Sequence, residues 1–308
     1  MKRVVLMPTF ALALVAAGTG AAFASGSVRP TTLRVAMNAK LDSVDPAVAN
    51  APNSLLLENA ICAKLYAFAG SATSVTPEIA AGMPVVGPSA DRPREWKTYT
   101  IKLKKTYKFE DGTPVTAYSF ADALDRDADP DLQSPAVGDM MDIVGLGSVL
   151  ASDSRTLPGV VAVNNTTLEI STVKADPSLA STLALSYFCP VEEDTPVAAG
   201  GVEHPPSAGP YYVQANTPTR VILKKNPFYT GPRPARFDFI AFTSGVTLAD
   251  CKQQVVANTR DVCLDGLPLA SSPVSTARLV AADVVARSVG CLSWAAPVGL
   301  DLATTCRR

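Results

Sequence analysis

The chain has 308 residues, 47% of them hydrophobic, with 27 basic and 28 acidic side chains. That is enough apolar material for one large or two modest domains. The near balance of charge excludes a strongly basic nucleic-acid binder and a protein held electrostatically on an anionic membrane. The 25 prolines and 19 glycines, set against that apolar content, read as a loop-rich globular chain rather than a disordered one.

Lys2 and Arg3 precede a mostly apolar run, Val4–Ala17, and Ala22-Phe23-Ala24 has the A-x-A pattern of a cleavage site. This predicts an export signal over residues 1–24 and a mature N-terminus at Ser25. The apolar run is shorter than the roughly 18–20 residues of a membrane anchor. The first cysteine is Cys62, so no N-terminal lipid attachment is expected. Export places six cysteines, Cys62, Cys189, Cys251, Cys263, Cys291 and Cys306, where disulfides form, and six allow fifteen pairings. Metal binding is not expected, because there is no C-x-x-C and the only histidine is His204.

Leu33, Val35 and Met37 alternate within a short strand, Thr32–Asn38, and a loop rich in Asp, Pro and Asn follows over Leu41–Asn53. Ser54 opens a helix with a stripe at Leu57, Ile61 and Leu65. Val75–Pro93 reads as irregular, broken by four prolines. In Lys97–Arg126, Tyr99, Ile101 and Leu103 alternate as in a half-buried strand. Asp111-Gly112 is a turn, and Thr116 caps a helix with Phe120, Ala121 and Leu124 on one face. Val137–Leu150 reads as a helix weakened by Gly145 and Gly147. Val160–Val163 and Leu168–Val173 read as paired strands, Pro177–Leu185 as a short helix and Thr195–Ala208 as a linker. Tyr211–Gln214, Arg220–Lys224 and Phe237–Phe242 read as strands, the last covered on both faces. Thr247 and Asp250 cap a helix with a stripe at Leu248, Cys251 and Val255. The mixture of strands and helices without strict alternation predicts an α/β fold.

The order in Lys97–Arg126 (strand, Phe-x-Asp-Gly-Thr-Pro-Val-Thr-Ala, helix ending in Arg) resembles the signature segment of extracellular solute-binding protein family 5. This family comprises the dipeptide-, oligopeptide- and nickel-type receptors of ABC transporters. TLRVAMNAKLDSVDPA at Thr32–Ala47, NAICAKLY at Asn59–Tyr66, Val161–Ser186, PPSAGPYY at Pro206–Tyr212 and KKNPFYTGPRP at Lys224–Pro234 are similar to further family segments in the same order. Ser207-Ala208 and Lys225 depart from the family's pattern.

The resemblance implies a periplasmic-binding-protein-like type II fold, two lobes closing on a ligand. It assigns residues 25–50 and 188–245 to the core of the first lobe, 51–187 to its inserted subdomain, and 246–308 to the start of a second lobe. Members are considerably longer than this chain. Val298–Arg308 resembles an early second-lobe strand, so the second lobe is expected to be incomplete. The acidic anchor for a peptide N-terminus lies in that lobe and is carried over to no residue here. Within the matching part the expected disulfide is Cys62–Cys189, followed by Cys251–Cys263 across a helix and a turn, with Cys291 and Cys306 unpaired.

Candidate ligand contacts are Asp42, Ser43 and Asp45, at the carboxyl end of the first strand, and Ser207, Ala208 and Gly209, whose small size permits close backbone approach. The competing reading of both groups is turn chemistry. Tyr66 and Tyr187 read as aromatic walls or core. Glu110 and Asp111 read as a solvated acidic turn rather than an acid–base pair. No nucleophile elbow, P-loop or zinc-protease motif is present. The expectation is therefore an exported, monomeric receptor without a cofactor, delivering a small solute, foremost a peptide, to the membrane permease of an ABC importer. A remnant of such a receptor, giving no ligand-induced rise in melting temperature, is the alternative. A secreted hydrolase stands behind both.

Overall fold

The computed structural model describes residues 30–68, 74–88, 97–233 and 235–266. The export signal, the site at Ser25, Cys291, Cys306 and Val298–Arg308 lie outside the described residues.

The first strand, β1 (Thr32–Ala36), buries Leu33, Val35 and Ala36. Helix α1 (Pro52–Ile61) starts earlier than Ser54 because Pro52, lacking an N–H and fixed in φ, fits the first helical turn. Two short strands, β2 (Tyr66–Phe68) and β3 (Val75–Pro77), pair antiparallel, and β4 (Val85–Pro88) pairs with β5 (Lys97–Lys102). The stretch expected to be irregular thus contains two strands. Pro77 and Pro88 stand at strand ends, where a missing donor is tolerated.

Helix α2 (Ala117–Ala128) follows, its entry closed by the Ser119 hydroxyl, which accepts from Thr116 N at 3.3 Å. The single helix expected over Val137–Leu150 is instead a 3₁₀ turn, Pro135–Met140, and a short helix, α3 (Leu146–Leu150). Gly145 separates them with φ +91°, and any Cβ there would meet Pro158 at 2.2 Å. Strands β6 (Val160–Asn164) and β7 (Thr167–Thr172) precede the short helix α4 (Leu179–Thr182). The chain then forms β8 (Tyr211–Thr217), β9 (Arg220–Lys225), β10 (Phe239–Thr243), α5 (Leu248–Val256) and β11 (Val262–Cys263).

These strands build two main sheets. One is antiparallel, β4-β5-β7-β6, with Tyr99, Ile101 and Leu168 turned inward onto Phe120 and Leu124 of α2. The other has the order β11-β1-β10-β9-β8 and is mixed, β1 lying parallel to both β10 and β11. Parallel neighbours require long crossovers, and here the β1–β10 crossover holds the entire antiparallel sheet. Ile240, Ala241 and Phe242 are consecutively buried, as a centrally placed strand covered on both faces demands. Helix α1 packs Leu57 and Ile61 on this mixed sheet beside Leu223 and Tyr211. After α5 the chain returns to the same sheet at β11, pairing Val262 with Val35.

Among the described residues two disulfides form, Cys62–Cys189 and Cys251–Cys263, with Cα separations of 5.6 and 5.9 Å. The first binds the end of α1 to the segment after α4. The second binds α5 to β11. No helix among the described residues is long and apolar enough to cross a membrane.

Candidate functional site

The carboxyl ends of β1 and β10 lie side by side, the place where open α/β sheets favour ligands. There Met37 N donates to Thr243 O at 2.9 Å, Gly245 N to Asn38 O at 3.0 Å and Val246 N to Met37 O at 3.0 Å. The loop leaving β1 carries Asp42, Ser43 and Asp45. The Asp42 carboxylate accepts from the amides of Ser43, Asn50 and Ala51 at 2.7–2.9 Å, while its own N–H donates to Ser54 Oγ. It thereby folds the loop back onto the start of α1. Burial pushes the Asp42 carboxyl up, but the hydrogen bonds from Ser54, Asn50, Ala51 and Ser43 together outweigh it and hold the group below the usual carboxylate range. Ser43 Oγ accepts from Asp45 N at 2.9 Å. Asp42 is exposed and Ser43 half-buried.

Asp45 is different, being only 1% exposed. Its carboxylate takes a two-pronged ion pair from Arg126, with Nη2 at 2.6 Å and Nη1 at 3.1 Å, and accepts from Ala47 N and Val202 N. Arg126 Nε donates to Pro196 O at 2.8 Å. The planar guanidinium matches the carboxylate in geometry, and the pair clamps the first loop, α2 and the Thr195–Ala208 linker together. All the acceptor positions of Asp45 that the geometry offers go to the protein, which assigns it a structural role in place of the expected ligand contact.

Ser207, Ala208 and Gly209 are likewise buried. Ser207 N donates to Glu110 Oε2 at 2.7 Å, Gly209 N to Ile61 O at 2.8 Å, and Asn226 Nδ2 to the carbonyls of both Ser207 and Gly209. A Cβ on Gly209 would lie 2.4 Å from Ile61 C. The close approach expected for this segment is real, but it is made to the end of α1. Asp42 sits at one end of that ten-residue helix and Gly209 at the other, about 15 Å apart along its axis. The two groups of candidates therefore do not form one site.

Glu110 corrects the solvated-turn expectation. Asp111 is exposed and bonds Thr113, whereas Glu110 turns inward to Ser207, and burial raises its carboxyl. Tyr66 is fully buried, and Tyr187 bonds Asn50 Oδ1 through its hydroxyl at 3.2 Å. His204 is exposed. Among the described residues no group of three or more His, Cys, Asp or Glu is placed to hold a metal ion.

The residues that sequence reasoning missed are those of a polar knot at the end of α1. Glu78, 1% exposed, accepts from Arg233 Nη2 at 2.7 Å, Arg233 Nε at 2.9 Å, Tyr229 OH at 3.0 Å and Lys64 N at 3.2 Å. Arg233 also donates to the carbonyls of Asn59 and Cys62, a cation on the electronegative end of a helix. Lys64 is buried with it, and desolvation, reinforced by Arg233, pushes its ammonium down to about 8. Asn226 turns its own amide oxygen to Phe228 N. The stretch Lys224–Arg233 is thus a fastening of β9 to α1. Its signal in the sequence was the cluster of Asn, Tyr and Arg between prolines, where a loop would carry smaller polar residues.

The family model for the middle part of bacterial extracellular solute-binding proteins, family 5, matches residues 90–273. The periplasmic oligopeptide-binding protein OppA of Escherichia coli (strain K12) is 35% identical over 81 residues, 25% of this chain and 15% of its own. OppA of Salmonella typhimurium is 27% identical over 144 residues, 44% of this chain and 26% of its own. The solved structure of clavulanic acid biosynthesis oligopeptide binding protein 2 superposes with a TM-score of 0.65 at 24% identity, covering 83% of this chain and 47% of that one. The chain spans less than half the length of each of these relatives. The likeness in structure concerns the fold, a mixed α/β architecture of the periplasmic-binding-protein kind. Because the family model covers more than half of the residues in order, the chain belongs to the bacterial extracellular solute-binding proteins, family 5.

Proposed function

We propose that the protein is an exported substrate-binding receptor of an ABC importer that captures a small solute, foremost a peptide. The observation that carries this reading is the family match over residues 90–273, and the oligopeptide-binding names of the relatives support the peptide. In this reading the mixed sheet and the loops at its edge are the core of the first lobe. The antiparallel sheet is the inserted subdomain, and the ligand lies in a cleft against a second lobe. Asp42 and Ser43, the two accessible members of the candidate set, face that cleft. Closure of the lobes favours the bound state by differential affinity. ATP is hydrolysed by the partner, not by this chain. The same reading makes the protein a periplasmic or extracellular monomer that meets a membrane permease.

The test is nuclear magnetic resonance of the chain from Ser25 to Arg308 titrated with di- to pentapeptides. Peptides are expected to shift the amide signals of the Asp42–Asn50 loop and of Ser244–Val246. Turnover of the peptides would favour a hydrolase and overturn the proposal. No shift with any peptide would leave the remnant as the better account.

A further inference from the structure

The clamp at Asp45 contains more carboxyl groups than its cation can neutralise. Glu58 of α1 is 0% exposed, and neither of its carboxyl oxygens has a hydrogen-bond partner among the described residues. Asp127 of α2, next to Arg126, is 1% exposed, and its Oδ2 has none either. Arg126 is spent on Asp45 and Pro196 O. A small cavity of about 10 Å³ lies beside Asp127, lined by Asp45, Arg126, Tyr187 and Thr195, which is room for about one water molecule.

Glu58 is met by Asp42 and Asp45 from the first loop and by Lys64 from the segment after α1. Lys64 Nζ turns to Asn59 Oδ1 rather than to Glu58. Asp127 is met by Arg126 on its own helix and by Asp45 from the first loop, and Tyr187 lines the cavity beside it. The linker contributes Thr195, Pro205 and Pro206 to this cavity, none of which titrates. An ionised carboxylate buried without donors and beside another carboxylate is costly, whereas the neutral acid is not. Burial pushes both carboxyls well above their usual range; Arg126 partly opposes this at Asp127 and Lys64 at Glu58, while the Asp45 charge adds to it at both.

We propose that this joint between the first loop, α1 and α2 holds two protons: Glu58 and Asp127 stay neutral acids beside the Asp45–Arg126 ion pair, and opening the joint releases both protons to solvent. From the ordinary carboxylate range upward, rising pH then favours release of the first loop and the linker. Between the ordinary carboxylate range and the raised native values the unfolded chain has lost protons that the native chain keeps, so stability falls as pH rises.

Two measurements test this on the chain from Ser25 to Arg308. Infrared spectra of the native protein at pH about 7 should contain the carbonyl band of protonated carboxylic acids, which disappears on unfolding. D127N and E58Q should each remove part of it. Absence of the band in the native wild-type protein overturns the proposal without any variant. Urea unfolding between pH about 6.5 and 7.5 should show the folding constant falling about a hundredfold per pH unit, tenfold for each retained proton. D127N and E58Q should each reduce the slope to about tenfold. A wild-type slope of tenfold or less, or variants that keep the wild-type slope, overturns the two-proton joint. This window lies below the titration of Lys64, at about 8, which acts with the opposite sign.

Discussion

Removing the Asp45 carboxylate should be among the most damaging single changes in this chain. The Asp45 and Arg126 side chains are 2% and 3% exposed, so water can replace neither partner. Asp45→Ala leaves the Arg126 guanidinium buried with only Pro196 O as a fixed acceptor and strips the acceptor from Ala47 N and Val202 N. Breaking a buried pair from one side costs about 3–5 kcal/mol. For a domain of this size that lowers the melting temperature by roughly 6–20 °C. Loss of the proton on Asp127 can supply a substitute negative charge, so at neutral pH the cost should fall near the lower end. The assay is urea unfolding followed by circular dichroism, for D45A, R126M and the double variant. With both charges gone no uncompensated ion remains, so the double variant should be more stable than the sum of the single losses by about 2 kcal/mol. Additivity within about 0.5 kcal/mol, or a D45A cost below about 1 kcal/mol, would refute the clamp.

The two disulfides should differ in worth because they close loops of different length. Cys62–Cys189 spans 127 residues and Cys251–Cys263 spans 12, so chain entropy predicts losses of about 5 and about 3 kcal/mol for the paired serine variants in denaturant unfolding. Gly209→Ala forces a methyl group into the backbone of Ile61 and Cys62 and should cost about 3 kcal/mol, while G138A, with open space around it, should be close to neutral; thermal unfolding of both decides this. Asp125, which accepts from Leu157 N, is raised by burial to about 6. Its raised native value means that stability falls as pH climbs from about 4 to 6, and D125N should flatten that part of the stability profile.

Local chemistry and pattern carried much of this protein into view. The alternation of Tyr99, Ile101 and Leu103 forecast a half-buried strand, and Thr116 and Thr247 marked helix starts because capping is settled within a few residues. The unbroken apolar run before Thr243 forecast a strand covered on both faces. The break at Gly145 and the strands beside Pro77 and Pro88 were less legible, since they depend on Pro158 and on the partner strands across the sheet. The family was readable from ordered motifs.

The use of polar residues was a different matter. Asp42 and Asp45 stand three residues apart in the same Asp-rich loop, with little in the sequence to separate them. One is exposed at the loop, and the other is buried against an arginine from α2. The small residues Ser207–Gly209 promised close approach but not to what. The answer, Ile61, lies more than a hundred residues away in the chain. Sequence determines the elements and the order of the motifs, because propensity, capping and periodicity act over a few residues. Only the tertiary structure decides which carboxylates meet a cation, which go without one and which remain open to solvent, because burial and charge pairing are properties of segments brought together from distant parts of the chain.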